Sequence, residues 1–464
     1  MHTVENTPVR IVDEEVMSAL RDCSADATRV REVLAKAREI HGLDDDEVAT
    51  LCAVTDDELL SEVFATARYV KETIYGKRLV LFAPLYVSNL CVNECRYCAF
   101  RQKNARVRRR KLTLAEIERE TRALVVQGHK RVLLVAGESG ARDDRAYIRD
   151  AIRTVYSVSD GKGEIRRINV NVAPMDVDAF RELKACGIGT YQVFQETYHR
   201  PTYLRVHVKG PKRDYDWRIT AMDRAMEAGI DDVGIGVLFG LYDWRYEVLA
   251  MLRHIRHLED KFGVGPHTIS VPRLEPAMGS RLAGRPPHAV SDVDFLKLVA
   301  IYRLAVPYTG IIMSTREVPE LRRATFELGV SQISAGSRTD PGGYSEESTE
   351  AKQFSLGDHR LLDEVIRDVA GLGYIPSFCT ACYRLGRTGQ DFMDLAKPGA
   401  IKAHCAPNGL STFKEYLDDY ASPATLATGE KAIAQILEEM APGIRRRSEA
   451  MLDRVAGGER DVFC

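Results

Sequence analysis

Apolar residues recur every three or four positions along the first 76 residues, the spacing of amphipathic helices. The segments DEEVMSALRD (13–22), TRVREVLAKAREIHG (28–42) and DDELLSEVFATARYVKETIYG (56–76) follow this pattern. Glycine comes at the end of two of them, as is common where a helix stops. The pattern therefore predicts a helical N-terminal extension over residues 1–78.

From residue 79 the pattern changes to short continuous apolar runs, each separated from the next by an amphipathic stretch. Eight such runs are present: LVLFAPLY (79–86), RVLLVAG (131–137), RINVNVAP (167–174), TYQVFQET (190–197), DVGIGVLFG (232–240), TISVPRLEP (268–276), GIIMSTRE (310–317) and QISAGS (332–337). Continuous apolar strands that alternate with helices are typical of a parallel sheet covered by helices on its faces.

Eight strand–helix units within about 260 residues favour a closed (β/α)8 barrel of the TIM type over an open doubly wound sheet. The glycines of GIGVLFG (234–240) lack the dinucleotide-fingerprint spacing, and no helix opens directly behind them. We predict an α/β protein with a barrel core over residues 79–358. A C-terminal region, residues 359–464, is predicted to complete the barrel with its eighth helix and to continue as a cysteine-containing helical extension.

Composition narrows the functional classes. The chain has 464 residues with a formal net charge of -2, which gives no general reason to bind nucleic acid or an acidic membrane. The N-terminus, MHTVENTPVRIVDEE, has no apolar signal region, and the longest apolar run, LVLFAPLYV (79–87), is too short to span a bilayer. We expect a soluble, cytoplasmic protein.

Three of the ten cysteines, Cys91, Cys95 and Cys98, lie directly after the first predicted strand. They therefore belong to the C-terminal face of the barrel, where barrel enzymes place their active sites. Three thiolates can hold three irons of a cubane and leave the fourth iron open to a small molecule. A zinc knuckle or an oxidation-prone loop is the alternative interpretation.

The spacing C-x3-C-x2-C, with Tyr97 before the last cysteine, resembles the radical S-adenosylmethionine (SAM) superfamily. That resemblance implies a [4Fe-4S] cluster whose open iron binds SAM. The AGE sequence that ends in Gly137 and Glu138 resembles the family's SAM-binding glycine segment, although one glycine stands here instead of two. Arg218 resembles a position that pairs with the SAM carboxylate, but an arginine on a helix is often only solvated.

Seven basic residues occupy the stretch RQKNARVRRRK (101–111). The simpler interpretation is an exposed rim beside the barrel mouth. The alternative is a docking patch for an acidic electron donor such as flavodoxin or ferredoxin. A nucleic-acid patch is disfavoured because no aromatic residues are interleaved.

A second trio, Cys379, Cys382 and Cys405, has the spacing C-x2-C-x22-C. A tetrahedral zinc site that also uses His404 is one interpretation. The trio follows the eighth barrel helix, which runs back from the catalytic face. We therefore predict that this site lies at the opposite end of the barrel from Cys91.

This second motif, together with the first, resembles the HydG family of [FeFe]-hydrogenase maturases, which are radical SAM tyrosine lyases. The resemblance implies that L-tyrosine is cleaved at its Cα–Cβ bond to p-cresol and dehydroglycine. It further implies that carbon monoxide and cyanide are formed and captured on an auxiliary iron–sulfur cluster carrying an additional iron. The product is an iron–carbonyl–cyanide synthon, passed to hydrogenase maturation proteins. The related ThiH tyrosine lyase of thiazole synthesis shares the barrel without this cysteine tail.

Two strand ends carry residues suited to a tyrosine substrate. Ser314 and Arg316 follow the seventh run, and Arg316 can clasp a carboxylate through two hydrogen bonds. A structural ion pair with the neighbouring Glu317 is the alternative. Glu196 ends the fourth run and can bind polar groups of SAM or substrate.

The additional iron requires a protein ligand at the lower end of the barrel, where the family uses one histidine. His257 is the candidate, with His267 as the alternative. Because the two ends of the barrel are separated by about 20 Å, we also predict an internal tunnel for the small products. Its polar lining is expected to come from Asn169, Asn171, Gln192 and Gln195. The rival functions are a ThiH-like lyase and a non-enzymatic iron–sulfur carrier or zinc scaffold.

Overall fold

The computed structural model describes residues 9–140, 144–346 and 351–464. It begins with four packed helices: α1 (Asp13–Asp22), α2 (Ala27–Ala37), α3 (Asp45–Ala53) and α4 (Asp57–Tyr75). Three of these helices begin at an aspartate N-cap, namely Asp26, Asp44 and Asp56. The side chain of each aspartate accepts a hydrogen bond from a backbone nitrogen of the first helical turn. The helical extension is therefore as predicted, with the addition of α3.

The core is a closed barrel of parallel strands. Within the described residues these are β1 (Arg78–Ser88), β2 (Arg131–Ala136), β3 (Arg167–Asn171), β4 (Tyr191–Gln192), β5 (Val233–Gly236), β6 (Thr268–Ser270), β7 (Gly310–Met313) and β8 (Val330–Ser334). Each strand pairs with the next in sequence, and β8 closes on β1 through the register Val80↔Gln332 to Phe82↔Ser334. This closure confirms the barrel and excludes the open sheet.

The barrel sheet has one further described strand outside the eight-stranded ring. β9 (Ile375–Ser377) runs parallel to the first residues of β1, with Arg78 opposite Ile375. It follows the eighth barrel helix, so the chain returns to the lower end of the barrel before the second cysteine motif begins. A short antiparallel pairing, Ser159–Asp160 with Gly163–Glu164, is also present outside the barrel.

Helices surround the barrel and extend it at the C-terminus. The barrel helices are α5 (Leu114–Val126), α6 (Asp144–Ser157), α7 (Val177–Lys184), α8 (Arg200–Val206), α9 (Tyr215–Ile219), α10 (Ala221–Glu227), α11 (Trp244–Phe262), α12 (Arg281–Gly284), α13 (Asp292–Ala305), α14 (Pro319–Leu328) and α15 (Leu362–Gly371). A single 3-10 turn spans Pro211–Arg213. The C-terminal helices are α16 (Ala381–Arg384), α17 (Gly389–Ala396), α18 (Lys402–Asp419), α19 (Pro423–Glu439) and α20 (Pro442–Ala456).

A buried ion pair joins the C-terminal helices to the barrel. Arg166, just before β3, donates to Glu415 of α18 over 2.9 Å, and both side chains are almost inaccessible to water. Lys130, just before β2, lies 3.5 Å from the same carboxylate. A buried pair of this kind is costly to break because either partner left alone is an uncompensated charge. None of the described helices has the length and apolarity needed to cross a bilayer.

Candidate active site and second thiol site

The C-terminal ends of the strands surround a large cavity. Its wall includes all three thiols of the first motif, together with Tyr97. The cysteine loop is held against the barrel by backbone hydrogen bonds: Arg96 N donates to Val206 O over 2.9 Å, and Glu94 N donates to Lys209 O over 2.8 Å. Over the described part of the chain, no three His, Cys, Asp or Glu side chains are grouped so as to hold a single metal ion. The two thiol trios instead line the walls of two cavities.

Asn93, inside the first motif, connects the cysteine loop to its surroundings. Its amide nitrogen donates to Glu138 Oε2 over 2.6 Å, and its amide oxygen accepts from the backbone nitrogen of Lys212 over 2.9 Å. Neither Asn93 nor Lys212 is among the site residues predicted from the sequence. Asn93 lies between the first two cysteines of the motif, at a position that the spacing C-x3-C leaves unspecified, and Lys212 lies in a loop without a motif of its own.

All four residues of the predicted SAM-binding set lie on this cavity, namely Tyr97, Gly137, Glu138 and Arg218. The hydroxyl of Tyr97 is 2.8 Å from His207 Nε2, which fixes the ring behind the thiols. Gly137 must lack a side chain, because a Cβ there would stand 2.4 Å from the carbonyl oxygen of Leu90. Gly137 thereby brings the end of β2 close to the cysteine loop.

Arg218 is buried in the wall of the same cavity and is not a solvated helix residue. Its Nε donates to Phe194 O over 2.9 Å, and its Nη2 lies 4.0 Å from Glu196 Oε1. The guanidinium is thus held at the end of β4, facing an acidic group and the cavity.

Glu196 adopts an unusual backbone conformation at the active site, with φ of 70°. A non-glycine residue in that region costs about 1–3 kcal/mol and is often found where function requires it. Its carboxylate lies 2.5 Å from Lys212 Nζ. Burial alone raises the pKa of Glu196, but the charges of Lys212 and Arg218 outweigh burial and hold the pKa below its ordinary value.

Ser314 and Arg316 line the cavity from the end of β7. Glu317 does not pair with Arg316 and instead binds Arg273, so the predicted alternative of an Arg316–Glu317 ion pair is not what the structure has. The guanidinium carbon of Arg316 lies 3.4 Å from the centre of the Phe354 ring. Among the described residues, Arg316 has no carboxylate partner within ion-pair distance. Its Nη1 donates a long hydrogen bond to Arg273 O over 3.4 Å, and its charge remains available to an anionic ligand.

The surroundings of Cys95 and Cys98 disfavour the thiolate form of these side chains. Burial raises the pKa of Cys98 to about 11 and raises that of Cys95 further, while the charge of Lys212 opposes both shifts. Such thiols do not ionise readily by themselves, whereas metal coordination deprotonates a thiol outright. Three thiols that line one cavity beside Lys212 therefore fit an iron–sulfur cluster with one open iron.

The second trio lines a smaller cavity at the other end of the barrel. Cys379, Cys382 and Cys405 surround it together with residues that begin the barrel strands, such as Arg78 of β1. Along β1, Val80 lines this lower cavity and Phe82 lines the upper one. The two thiol trios are thus on opposite sides of the barrel's middle layer.

Positive charge surrounds the lower thiols. The Nε atoms of Arg78 and Arg387 are buried without a hydrogen-bond partner among the described residues. Burial lowers the pKa of Arg78, but the neighbouring thiols, with Cys405 first, outweigh it and raise the pKa. A buried N–H donor without a partner is costly. These Nε atoms and the positive charge of their side chains therefore fit an anionic occupant such as a thiolate-bound iron–sulfur cluster.

The structure brings His267, and not His257, to the lower cavity. His257 on α11 is 2.8 Å from Asp223, which also binds Lys261, and it lines neither thiol cavity. His267 precedes β6, and Asp232 lies 3.6 Å from its Nδ1. Burial lowers the pKa of His267, which favours the neutral imidazole that binds metals. His404, the residue considered as a fourth zinc ligand, also lines this cavity.

Of the four polar residues expected to line a tunnel, two line the upper cavity and two do not. Asn171 and Gln192 line the upper cavity. Asn169 accepts a hydrogen bond from the backbone nitrogen of Thr190. Gln195 is buried, and its amide nitrogen has no partner among the described residues. The tunnel itself stays a prediction.

Comparisons with known proteins agree with this arrangement. The family model of the radical SAM superfamily matches residues 85–255, and that of the biotin and thiamin synthesis associated domain matches residues 270–375. The 2-iminoacetate synthase of Escherichia coli K12 is 33% identical over 350 residues, which cover 74% of this chain and 89% of that protein.

Two solved structures resemble almost the whole chain. A crystal structure of HydG, a maturase of the [FeFe]-hydrogenase, is 52% identical with a TM-score of 0.95, covering 98% of this chain and 99% of that one. HydG from Carboxydothermus hydrogenoformans is 40% identical with a TM-score of 0.83, covering 96% and 100%. With two thiol trios at opposite ends of one barrel, the chain belongs to the radical SAM superfamily and, within it, to the HydG/ThiH family of tyrosine lyases.

Proposed function

We propose that this enzyme cleaves L-tyrosine to p-cresol and dehydroglycine in the upper cavity and converts the small fragment to carbon monoxide and cyanide at the lower one. The product is an iron–carbonyl–cyanide synthon for assembly of the [FeFe]-hydrogenase active site. One observation carries the proposal: two separate thiol trios line cavities at the two ends of the same barrel. A lyase that only released dehydroglycine would need no lower site.

In the upper cavity, Cys91, Cys95 and Cys98 hold the [4Fe-4S] cluster, and Gly137, Glu138 and Arg218 contact SAM. When bound, the cluster and SAM supply a 5'-deoxyadenosyl radical. Arg218 is buried in a wall that faces the thiols, so its charge is available to a carboxylate.

Arg316 binds the tyrosine carboxylate through its guanidinium, which has no carboxylate partner among the described residues, and Ser314 adds a hydroxyl on the same strand end. Glu196, whose pKa is held low by Lys212 and Arg218, stays ionised and accepts hydrogen bonds from an amino group. Tyr86 and Phe354 supply apolar surface beside these groups, which suits the phenol ring. These side chains orient the substrate and exclude water from the radical step.

In the lower cavity, Cys379, Cys382 and Cys405 hold the auxiliary cluster with its additional iron. His267 replaces His257 as our candidate for the ligand of that iron, since it lines the same cavity as the thiols. The buried guanidinium of Arg78 balances the negative charge of thiolates and cyanide.

The second candidate function is a ThiH-like lyase that supplies dehydroglycine for thiazole synthesis. The observation in its favour is the 33% identity to the 2-iminoacetate synthase, although that match covers only 74% of the chain. A non-enzymatic iron–sulfur carrier is the third interpretation. Reduced flavodoxin or ferredoxin is the proposed source of the activating electron, and hydrogenase maturation proteins are the proposed acceptors of the synthon.

The decisive experiment incubates the anaerobically reconstituted enzyme with tyrosine, SAM and dithionite. We expect p-cresol, 5'-deoxyadenosine, cyanide and carbon monoxide. Production of p-cresol without cyanide would support the ThiH-like function instead. Absence of both p-cresol and 5'-deoxyadenosine from a preparation with a full complement of iron and sulfide would leave only the carrier interpretation.

A further inference from the structure

We propose that an open basic groove beside the first cysteine motif is the docking surface for the electron donor, a small acidic flavoprotein of the flavodoxin type. The groove is lined by Arg205, Val206, Arg281, Leu282, Arg285 and His288, among others. This inference rests on the proposed function, because it assumes that the upper thiols hold a cluster that must be reduced.

The groove carries unbalanced positive charge. Arg205, Arg281 and Arg285 are exposed, and none forms an ion pair with an acidic side chain of the described residues. No aspartate or glutamate lines the groove. The whole chain has a net charge of -2 and offers an acidic partner no general attraction. A local concentration of cations is therefore what can orient such a partner.

The floor of the groove is in contact with the cluster ligands. Val206 and Leu282 belong to one apolar cluster with Cys95 and Tyr97, and Cys98 packs against it. Arg96, between Cys95 and Tyr97, is bonded to both walls: its backbone nitrogen donates to Val206 O, and its carbonyl accepts from Ser280 Oγ over 2.7 Å. Because electron tunnelling slows steeply with distance, this thin apolar layer is a favourable path to the cluster.

Exposed apolar side chains complete the surface. Leu204 and Val208 flank Arg205 and Val206 in sequence, and Met278 precedes the opposite wall; they are 38%, 41% and 38% exposed. Arg96 and Lys209 add exposed cations nearby. A groove that combines exposed arginines with the apolar floor residues Val206 and Leu282 has the composition expected of a transient interface with an acidic redox protein. Such an interface buries little area and depends on charge for its association rate.

The basic stretch 101–111 is a weaker candidate, because the fold uses much of its charge. Arg101 pairs with Glu94, and Arg110 pairs with both Glu116 and Glu346. The guanidinium of Arg109 donates to three backbone carbonyls, and Lys111 lies 3.6 Å from Asp144. Lys103, Arg106 and Arg108 remain exposed.

The transferred species is a single electron. The donor's anionic flavin hydroquinone would lose the electron to become its neutral semiquinone, and a [4Fe-4S] cluster held by Cys91, Cys95 and Cys98 would take it up, passing from the 2+ to the 1+ state. No proton moves and no bond is made or broken in this step. The groove residues only bind and orient the flavoprotein.

The test compares two double variants of the holoenzyme, Arg281→Glu with Arg285→Glu, and Arg106→Glu with Arg108→Glu. A purified flavodoxin in its hydroquinone form is the probe. Stopped-flow absorbance gives the second-order rate constant of cluster reduction. Titration of oxidised flavodoxin with the oxidised enzyme, followed by flavin fluorescence, gives the dissociation constant of the complex. We expect the groove variant to lower the rate by about tenfold at low salt and to flatten its dependence on ionic strength.

Dithionite provides the control, because it needs no docking surface. With dithionite, both variants should form p-cresol at the native rate, as should the remote variant Arg446→Glu. If the groove variant keeps the native affinity for flavodoxin and the native rate of cluster reduction, the proposal is overturned. An equal fall in affinity and reduction rate in the 106/108 variant would also overturn it. Binding of anionic vesicles or RNA at least as tightly as flavodoxin would also overturn it. Failure of the native protein to form p-cresol with dithionite, while flavodoxin still binds at the groove, would contradict the proposed function instead.

Discussion

Glu317 binds the guanidinium of Arg273, with Oε2 2.5 Å from Nη2 and Oε1 2.9 Å from Nε, and this pairing leaves the adjacent Arg316 to face the active-site cavity. Two neighbouring residues at one strand end thus have different roles. Glu317 is buried in a structural ion pair, whereas Arg316 lies over Phe354 without a carboxylate partner among the described residues.

We predict that Arg316→Ala raises the KM for tyrosine by roughly 10- to 100-fold, because a charge-assisted hydrogen bond contributes about 1.5–3 kcal/mol. Arg316→Lys should recover only part of this, since an ammonium cannot make the bidentate contact. Steady-state formation of p-cresol at varied tyrosine gives the values, with exposed Arg106→Ala as the matched control. A native KM in the alanine variant would remove Arg316 from the substrate site.

Replacing Cys379 and Cys382 by serine should separate the two half-reactions. We expect p-cresol and 5'-deoxyadenosine to persist while synthon assembly stops, because the two trios lie in different cavities. Cys95→Ser should abolish both activities, and Cys186→Ser, outside both cavities, should affect neither. Loss of p-cresol in the 379/382 variant with an intact upper cluster would show that the sites do not work independently.

The two histidines are distinguishable by their surroundings. His267→Ala should lower the iron content of the reconstituted protein by about one atom per chain, as expected for loss of one metal ligand. His257→Ala should retain that iron, because His257 pairs with Asp223 away from the thiols. Iron and sulfide analysis with electron paramagnetic resonance of the lower site decides between them. The reverse result would restore His257 as the ligand.

Val80 and Phe82 mark the boundary between the two cavities, and Val80→Phe should narrow any passage there. We expect p-cresol formation to continue while less cyanide reaches the lower site, so that free cyanide in solution increases relative to synthon. Overpacking is expected to destabilise the fold by about 1–3 kcal/mol, so Val80→Ile serves as a milder control. Xenon-pressurised crystals of the native enzyme with a solid barrel interior would contradict the tunnel.

Glu247 of α11 stabilises the unusual backbone of Glu196. Its buried carboxylate accepts hydrogen bonds from Tyr198 N over 2.8 Å and from the hydroxyl of Thr197, the two residues that follow Glu196. Burial raises the pKa of Glu247 to about 8, with smaller contributions from Asp13 and Asp243.

A carboxyl whose pKa is raised on folding stabilises the protein at low pH and loses that contribution as the pH rises. Between pH 4.5 and about 8, the native Tm should therefore fall relative to that of Glu247→Gln, which keeps an acceptor without the charge. Calorimetry across this window measures the difference. Glu247→Leu should also raise the KM for tyrosine, because the backbone after Glu196 would lose its hydrogen bonds to the Glu247 carboxylate. A Tm difference that does not change with pH would show that the Glu247 carboxyl does not link stability to pH.

Much of the fold was predictable because strand and helix periodicity is local. The eight apolar runs each contain a barrel strand, but the fourth was predicted as 190–197 and pairs as a strand only at Tyr191–Gln192. Its later residues still donate to the β5 run, as Gln195 N does to Gly236 O, up to an isolated bridge between Glu196 and Val237. There Glu196 takes a positive φ, with contacts from α11 and the 211–213 turn beside it. No pattern within the run itself contains those contacts.

The sequence alone singled out the two cysteine motifs, because the thiols of each trio are close together along the chain or recur at a diagnostic spacing. Only the tertiary structure decided which partners those thiols meet. It brought His267 to the lower cavity and directed His257 to Asp223. It neutralised much of the 101–111 stretch and left the groove at Arg205, Arg281 and Arg285 charged. The physical reason is that a side chain's availability depends on its neighbours in space, and barrel closure brings together residues distant in sequence.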